Sequence, residues 1–289
     1  MVESGRQWQY STYRKVRTIY NHLQEFEKAK DYPLAFNRIN RKFLDLFAEF
    51  YRERGNNHNT TLKAVNILVW FLNWATYEGY NVFRDYRKFY GILGGAKPTE
   101  NSKIFLNRDE LKLIQSLELA DKKLLRTRDL FCLMCYAGLR FSEIQNLKKQ
   151  DILKDEIVVR TTYKKDRSVR LSPAGVRILK RYENRYFKND LALPPVSLIT
   201  FNKHLKVLCE KAGINEMTVS PGSSGKEVYK YRLVTSSVAL NTFIADAMEF
   251  NIPAEIISGF TGIENSLRYA IIQKEMEKKG MIKPVQFVT

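Results

Sequence analysis

The stretch that decides the fold is YAGLRFSE, residues 136–143. It follows an apolar helical run that begins near Lys122, and Gly138 is the residue type that commonly ends a helix in the left-handed conformation. We therefore predict a helix over 122–138, a turn that carries Arg140, and a second short helix over 142–147. Taken alone, Arg140 could simply be a cation that satisfies carbonyls at a helix end. The features of the rest of the chain favour a functional role for Arg140.

Composition and charge indicate a folded protein with an anionic partner. A chain of 289 residues with 44% hydrophobic content and 12% aromatics is long enough for two domains with separate cores. Lys and Arg number 48 against 31 Asp and Glu, which gives a net charge of +17 and a pI near 9.7. This excess favours nucleic acid as the partner. An anionic membrane surface and a merely solvated basic face are the alternatives.

Apolar runs and cysteines limit the location and the chemistry. No apolar run approaches the roughly 18 residues of a membrane-spanning helix, and the N-terminus lacks a signal-peptide core. We therefore expect a cytoplasmic protein with no membrane partner. Cys132, Cys135 and Cys209 have no disulfide-framework spacing, and the C-x-x-C pair lies within an apolar helical run. Core packing is predicted for them, and neither a metal ion nor a cofactor is expected.

The first half of the chain has the periodicity of amphipathic helices. Apolar residues recur at three- and four-residue spacing over 11–26, 40–54 and 59–79, and a shorter element covers 83–90. A segment rich in Gly, Pro and polar residues follows over 91–103 and is typical of a linker. We therefore predict a helical domain over 1–94, a linker over 95–106 and a second domain over 107–289.

The second half mixes helices with a small hairpin. The β-branched segment 156–163, the charged turn 164–167 and the alternating segment 168–171 predict two strands joined by a basic tip. Asn107 begins a capped helix, and further helices are predicted over 174–188, 197–211, 236–250 and 253–260. An irregular stretch is expected around 221–225.

In this order, a helical bundle, a linker, a helix ending in Gly-Leu-Arg, a hairpin bearing lysine and a C-terminal tyrosine resemble the tyrosine recombinases (phage and transposon integrases). The resemblance covers nearly the whole chain. It is closest to integrases of Bacteroides-type mobile elements, which share FLNWAT (71–76) and NIP (251–253). It implies a mainly α protein, with a helical, SAM-like core-binding domain followed by a mixed α/β catalytic-type domain of the DNA breaking-rejoining fold with a small β-hairpin. Such integrases often carry a further N-terminal arm-binding domain, which we do not expect in this chain.

Metal-free transesterification at a DNA phosphodiester needs fixed cations on the non-bridging oxygens, a nucleophile and a proton donor for the leaving oxygen. The resemblance implies that Arg140 is the first catalytic arginine, with Glu143 as its acidic neighbour. It implies that Lys164 protonates the leaving 5′ oxygen, although the adjacent Lys165 is an alternative. Tyr269 matches the nucleophile.

The remaining family positions are substituted. Ser237, Leu240 and Ile263 stand where the family has histidine, arginine and histidine, and none of the three histidines of the chain lies nearby. Tyr269 lies six positions after Ile263, which is a shorter spacing than the family's. A rival alignment would use Arg232 as the second arginine, eight residues further from Ile263 than Leu240 is.

Binding should depend on other residues than cleavage does. Phosphate contacts are expected from three basic clusters, each of which could alone be a solvated face. These are Arg84, Arg87 and Lys88; the hairpin residues Lys164, Lys165, Arg167 and Arg170; and Lys203, His204 and Lys206.

We interpret the chain as a DNA-binding integrase-family protein of a mobile element in which catalysis is impaired or lost. Its expected partner is double-stranded DNA, with self-association or an active relative as a further partner on DNA. Two alternatives stay open. One is an active recombinase that forms a 3′-phosphotyrosyl bond through Tyr269, and the other is a basic helical scaffold for an acidic protein.

Overall fold

The computed structural model describes residues 10–95, 104–161, 166–219, 227–264 and 266–282. The chain folds into two compact units, Met1–Pro98 and Thr99–Thr289. The predicted hairpin lysines, Lys164 and Lys165, lie outside the described residues. Among those that are described, no helix combines the length and the apolar character needed to cross a membrane.

The first unit is a helical bundle with an aromatic core. Its helices are α1 (Tyr10–Ala29), α2 (Arg41–Glu53), α3 (His58–Tyr77) and the short α4 (Phe89–Leu93). The Asn40 side chain accepts hydrogen bonds from the first turn of α2, and Asn57 does the same for α3. Phe26 is fully buried, with its ring centroid 5.3 Å from those of Phe43 and Phe47. Edge-to-face rings of this kind hold the bundle together.

The second unit surrounds one buried helix. Its helices are α5 (Arg108–Ser116), α6 (Lys122–Ala137), α7 (Phe141–Asn146), α8 (Pro173–Lys180), α9 (Leu198–Lys211), α10 (Ser236–Glu249), α11 (Ala254–Thr261) and α12 (Ser266–Lys278). Helix α6 packs against α8, α9 and α10, and its residues Leu130, Phe131 and Leu133 are fully buried. The prediction for α6 is therefore confirmed, and Asn107 forms the predicted capping box with Glu110.

Two small antiparallel sheets accompany the helices. Strands β1 (Glu156–Val159) and β2 (Arg167–Arg170) pair with Ile157 opposite Val169, as the predicted hairpin requires. Strands β3 (Met217–Val219) and β4 (Glu227–Tyr229) form a second pair that the sequence did not predict. The mainly α fold class, with a helical domain followed by a mixed α/β domain, is confirmed.

Two helices differ from their predicted extent because of tertiary contacts. Helix α8 ends at Lys180 instead of continuing to residue 188, because Arg181 and the Tyr182 hydroxyl both donate to the buried carboxylate of Asp129, at 2.9 and 3.0 Å. Helix α12 was not predicted. It forms where Ile272 and Met276, four residues apart, are buried in the same apolar cluster as residues of α10.

The cysteines belong to the core. Cys132, Cys135 and Cys209 are all buried and unpaired, which confirms the prediction of packing for the C-x-x-C pair. Burial raises the pKa of the Cys132 thiol to about 12. These thiols are therefore neutral apolar side chains at ordinary pH.

Gly138 makes the turn that presents Arg140. It caps α6 in the left-handed conformation, with φ of +62°, and its N–H donates to the Met134 carbonyl. The ring of Phe243 on α10 packs so closely that a Cβ on residue 138 would lie 2.9 Å from Phe243 Cδ1. Only glycine satisfies both the backbone angle and this contact.

We expect Gly138→Ala to destabilise the protein by more than the usual cost of a left-handed residue. The conformation costs about 1–2 kcal/mol for an L side chain, and forcing the Phe243 ring aside adds about 1–3 kcal/mol. Urea unfolding measures the sum. Gly213→Ala is the matched control, because Gly213 has φ of +74° with nothing within 4 Å of the added Cβ. Equal losses in the two variants would show that the ring contact is unimportant.

Candidate active site

The Glu143 carboxylate fixes Arg140 at the start of α7. Glu143 accepts from the Arg140 backbone N–H at 2.7 Å and from Arg140 Nη1 at 2.7 Å. The Glu143 side chain is 10% exposed and the Arg140 side chain 39%. Charge-assisted bonds to a nearly buried carboxylate are short and strong. The arginine is therefore held in one orientation with part of its guanidinium open to solvent.

A second arginine shares the same carboxylate. Arg167 on β2 donates from Nη2 to Glu143 at 2.8 Å, and its side chain is 11% exposed. We predicted Arg167 as a DNA contact on an exposed hairpin tip. The structure places it inside, as a link between β2 and the start of α7. One carboxylate thus faces two guanidinium groups, which leaves this pocket with an excess of positive charge.

Both arginines also reach the C-terminal end of α11. Arg140 Nη2 donates to the Gly262 carbonyl at 3.3 Å, and Arg167 Nη1 donates to the Phe260 carbonyl at 3.1 Å. Carbonyls at a helix C-terminus lack helical partners and carry partial negative charge, so cations are favoured there. These contacts place 260–262, which precede Tyr269, against Arg140 and Arg167.

Three of the residues predicted at family positions lie together in an apolar cluster. Leu240, Ile263 and Tyr269 are 4%, 8% and 6% exposed and belong to one hydrophobic cluster built from α10, α11 and α12. The Tyr269 hydroxyl donates to the Ile263 carbonyl at 3.1 Å and lies 3.2 Å from Thr261 Oγ1. The predicted nucleophile is thus close to the Arg140 pocket in the fold, but its oxygen is buried and hydrogen-bonded.

Neither Ser237 nor Arg232 adds a charged group to this pocket. The Ser237 hydroxyl is exposed and lies 2.9 Å from Thr235 Oγ1. The exposed Arg232 guanidinium lies against Tyr229 and Tyr231, 5.9 and 5.7 Å from their ring centroids, and its Nε donates to the Tyr231 hydroxyl. Its contacts in the described ranges are therefore with its own aromatic neighbours. This placement gives no support to the rival alignment.

Arg268 is a residue that was not predicted from the sequence. It lies in the first turn of α12, directly before Tyr269, and donates from Nε and Nη2 to Asn241 Oδ1 at 2.9 and 2.6 Å. Burial lowers the pKa of the Arg268 guanidinium, and the positive charge of Arg140 lowers it further. The chain thus brings a guanidinium from α12 to the residue directly after Leu240. Its position next to the expected nucleophile was the available signal.

Phe260 is a second residue that was not predicted from the sequence. It lies three residues before Ile263, so Tyr269 follows Phe260 by nine positions and Ile263 by six. Phe260 is 40% exposed, and its carbonyl already accepts from Arg167. The short spacing between Ile263 and Tyr269 was the signal that pointed to it. If Phe260 instead of Ile263 stood at the position of the family's second histidine, that position would still lack an imidazole.

The other predicted phosphate contacts have different environments. Arg84, Arg87, Lys88, Arg170, Lys203 and Lys206 are exposed, and His204 is half-buried beside Thr127. Arg170 pairs with Asp155 at 3.3 Å. Within the described ranges, no group of three or more His, Cys, Asp or Glu side chains is arranged to hold a metal ion. The exposed cations remain candidates for phosphate contacts.

Family models match both units of the chain. The model of the phage integrase SAM-like domain matches residues 1–92, and the model of the phage integrase family matches residues 105–221. A comparison with curated proteins finds no match.

Solved structures of recombinases share the fold. The Tn1549 transposon integrase in complex with transposon right end DNA has 14% identity and a TM-score of 0.65, over 95% of each chain. The XerH recombinase bound to palindromic difH has 15% identity and a TM-score of 0.65, over 92% of this chain and 79% of that one. A lambda integrase dimer bound to a COC′ core site has 15% identity and a TM-score of 0.64, over 98% of this chain and 94% of that one.

We expect Glu143→Ala to be among the most destabilising single changes in the second unit. It removes the acceptor of two guanidinium groups, and breaking a buried ion pair costs about 3–5 kcal/mol. Asp155→Ala is the control, since the Arg170–Asp155 pair is 75% and 49% exposed and should cost less than about 1 kcal/mol. Urea unfolding followed by far-UV circular dichroism gives both values, since all three tryptophans of the sequence belong to the first unit. Similar losses would contradict a special role for Glu143.

Proposed function

The chain belongs to the phage integrase family of tyrosine recombinases, and from this premise we propose that it binds double-stranded DNA within a mobile element while its strand-cleavage activity is impaired or lost. One observation carries the second half of the proposal. Leu240, Ile263 and the Tyr269 side chain form part of a hydrophobic cluster where strand cleavage needs charged and proton-transferring groups.

The chemistry explains why this cluster matters. Attack on a phosphodiester builds negative charge on the non-bridging oxygens, and an arginine placed there contributes about 10³–10⁵ in rate. Leucine at 240 has no donor. General acids and bases contribute about 10²–10⁴ each, and the substituted positions offer a hydroxyl at Ser237 and an alkyl group at Ile263. Such factors do not simply multiply, but the loss of the arginine alone is large.

The state of Tyr269 supports the same conclusion. A nucleophilic hydroxyl must reach the phosphorus with its oxygen free, whereas this hydroxyl donates to the Ile263 carbonyl. Because the side chain is 6% exposed, it must leave the cluster before it can touch DNA. That movement would expose apolar surface and break a buried hydrogen bond.

DNA binding rests on residues that the substitutions leave intact. The structures of the Tn1549 integrase, the XerH recombinase and the lambda integrase dimer named above are complexes with DNA. Arg84, Arg87 and Lys88 in the first unit and Lys203 and Lys206 on α9 are exposed cations, as phosphate contacts must be. The net charge of +17 adds long-range attraction to a duplex.

An active recombinase is the second candidate, because one observation favours it. Arg140 is held at the Gly262 carbonyl while the Tyr269 hydroxyl is held at the neighbouring Ile263 carbonyl. The first arginine and the expected nucleophile are thus already near each other. A modest rearrangement of α12 would present the tyrosine, with Lys164 or Lys165 as the proton donor.

We expect the protein to bind a generic duplex of about 30 base pairs at low salt, with affinity falling steeply as salt rises. The slope of log K against log salt is about −0.9 per phosphate contact. Replacing Lys203 and Lys206 together by alanine should make this slope shallower by about 1.8, that is 2 × 0.9. Fluorescence anisotropy of a labelled duplex measures the slope.

Lys112→Ala with Lys180→Ala is the matched control, since both lysines are exposed and outside the proposed contacts. An equal change in slope for both pairs would mean that net charge alone, not the α9 face, governs binding. Absence of duplex binding even at low salt would overturn the proposal and favour a scaffold for an acidic protein.

We expect no covalent protein–DNA adduct on a nicked suicide duplex, with the same background for the wild type and Tyr269→Phe. Denaturing gel electrophoresis detects the adduct. The combined change Ser237→His, Leu240→Arg and Ile263→His should raise adduct formation, because it restores the groups that the chemistry needs. A parallel variant replaces Ile263→His by Phe260→His, which alters a more exposed side chain and tests the alternative alignment.

An adduct formed by the wild type and lost in Tyr269→Phe would overturn the loss of cleavage and establish the active alternative. If neither restored variant forms an adduct, although both are folded by circular dichroism and still bind the duplex, the substitutions are not what silences the site.

A further inference from the structure

We propose that Arg268 and Arg140 together form a binding site for one phosphate of the DNA backbone, with Arg268 supplying from α12 the guanidinium that Leu240 lacks. The inference rests on the proposed DNA binding and deepens it by naming a second phosphate-binding residue. None of the family positions assigned from the sequence includes Arg268, and the second arginine was expected on α10.

Arg268 of α12 is held against α10 by its hydrogen bonds to Asn241. Its Nε and Nη2 both donate to Asn241 Oδ1, at 2.9 and 2.6 Å, and Asn241 Nδ2 donates to the Ile104 carbonyl at 2.7 Å. Asn241 directly follows Leu240 in α10. The Arg268 guanidinium therefore lies within one residue, along α10, of the position where an arginine was expected from the sequence.

Residues 262–263 connect Arg140 with Tyr269, the residue next to Arg268. Arg140 reaches the Gly262 carbonyl, and the Tyr269 hydroxyl reaches the Ile263 carbonyl. Arg268 directly precedes Tyr269. On the other side, the Phe243 ring on α10 packs against Gly138, two residues before Arg140. Residues 262–263 thus contact Arg140 on one side and, through Tyr269, the start of α12 on the other, and Arg140 is near enough to Arg268 for its charge to lower the pKa of that guanidinium.

The positive charges of Arg268 and Arg140 favour the binding of an anion. Arg268 is half-buried, and its hydrogen-bond partner is a neutral amide. The charge of Arg140 acts on it strongly enough to lower its pKa further, after the effect of burial. Among the described residues, the carboxylate that pairs with Arg140 is Glu143, which Arg167 shares. Holding like charges together in a partly buried place is costly, and a bound anion offsets that cost.

The anion that fits these two arginines is a phosphodiester of the DNA backbone. A phosphodiester presents two non-bridging oxygens, and arginine pairs bind phosphate through several parallel N–H donors. The hydrogen bonds of Arg268 to Asn241 come from Nε and Nη2, which leaves Nη1 as the donor for a ligand. The Arg140 side chain is 39% exposed and can be reached from solvent. The pair fits a phosphate held without cleavage, because the Tyr269 hydroxyl is turned to the Ile263 carbonyl.

The test compares Arg268→Ala and Arg268→Lys in duplex binding, with Arg185→Ala as the control. Arg185 is exposed and lies over the ring of Tyr182, away from Arg140 in its contacts. A hydrogen bond to a charged group contributes about 1.5–3 kcal/mol, so Arg268→Ala should weaken binding about 10-fold or more. The salt slope should become shallower by about 0.9, whereas Arg268→Lys should keep the wild-type slope and Arg185→Ala should change neither quantity.

A merely structural Arg268 would give a different result. Loss of its bonds to Asn241 would lower thermal stability in both Arg268 variants alike and leave the salt slope unchanged, which would overturn the inference. Asn241→Ala provides a further comparison, because it frees Arg268 from its partner while keeping the charge. The salt slope should then stay at the wild-type value.

A second probe separates this inference from the proposed function. Inorganic phosphate, compared with chloride at equal ionic strength, should raise the melting temperature of the wild type and of Arg185→Ala, but not that of Arg268→Ala or Arg140→Ala. If the wild type binds no duplex yet shows this stabilisation, the DNA proposal fails and the anion site stands. If it binds duplex and Arg268→Ala binds equally well with the same slope, the DNA proposal stands and the arginine pair is refuted.

Discussion

One buried carboxylate sets the geometry of the pocket. Glu143 accepts the Arg140 backbone N–H, the Arg140 guanidinium and the Arg167 guanidinium. Through these bonds it joins the start of α7 to β2, and the two arginines extend the connection to the carbonyl end of α11. Because a carboxylate removed from water must be paired, the two arginines are required by Glu143 as much as they are held by it.

The sequence was most informative where structure depends on local contacts. The Asn107 capping box, the left-handed Gly138 and the β1–β2 hairpin each follow from residues close together in the chain, and all were predictable. The end of α8 and the formation of α12 depend on Asp129 and on the apolar cluster with α10, which are distant in sequence. The periodicity of apolar residues carries no information about such distant partners. The end of α8 and the formation of α12 were therefore not predicted.

The same distinction applies to the site. Arg140 and Glu143 were expected because their motif resembles the first arginine motif of the family, and the structure shows that the two residues are in contact within one turn. Arg167 was taken for a surface cation, since nothing in the hairpin sequence shows that it turns inward to Glu143 from 24 residues away. Arg268 meets Asn241 across 27 residues and two helices. Whether a charged side chain is exposed or buried depends on its partners in the fold. When those partners are distant in sequence, the sequence does not predict the burial.

The substitutions make physical sense as a set. An aliphatic side chain at 240 packs with Ile263, Tyr269 and Ile272 in one cluster, whereas an arginine there would have to leave that cluster or bury its charge. Directly after this leucine, the Asn241 side chain accepts two hydrogen bonds from the Arg268 guanidinium of α12. Two arginines at 240 and 268 would repel each other and Arg140 in the same place. The fold thus places the aliphatic Leu240 in one cluster with Tyr269 and brings a guanidinium from α12 to the next residue of α10.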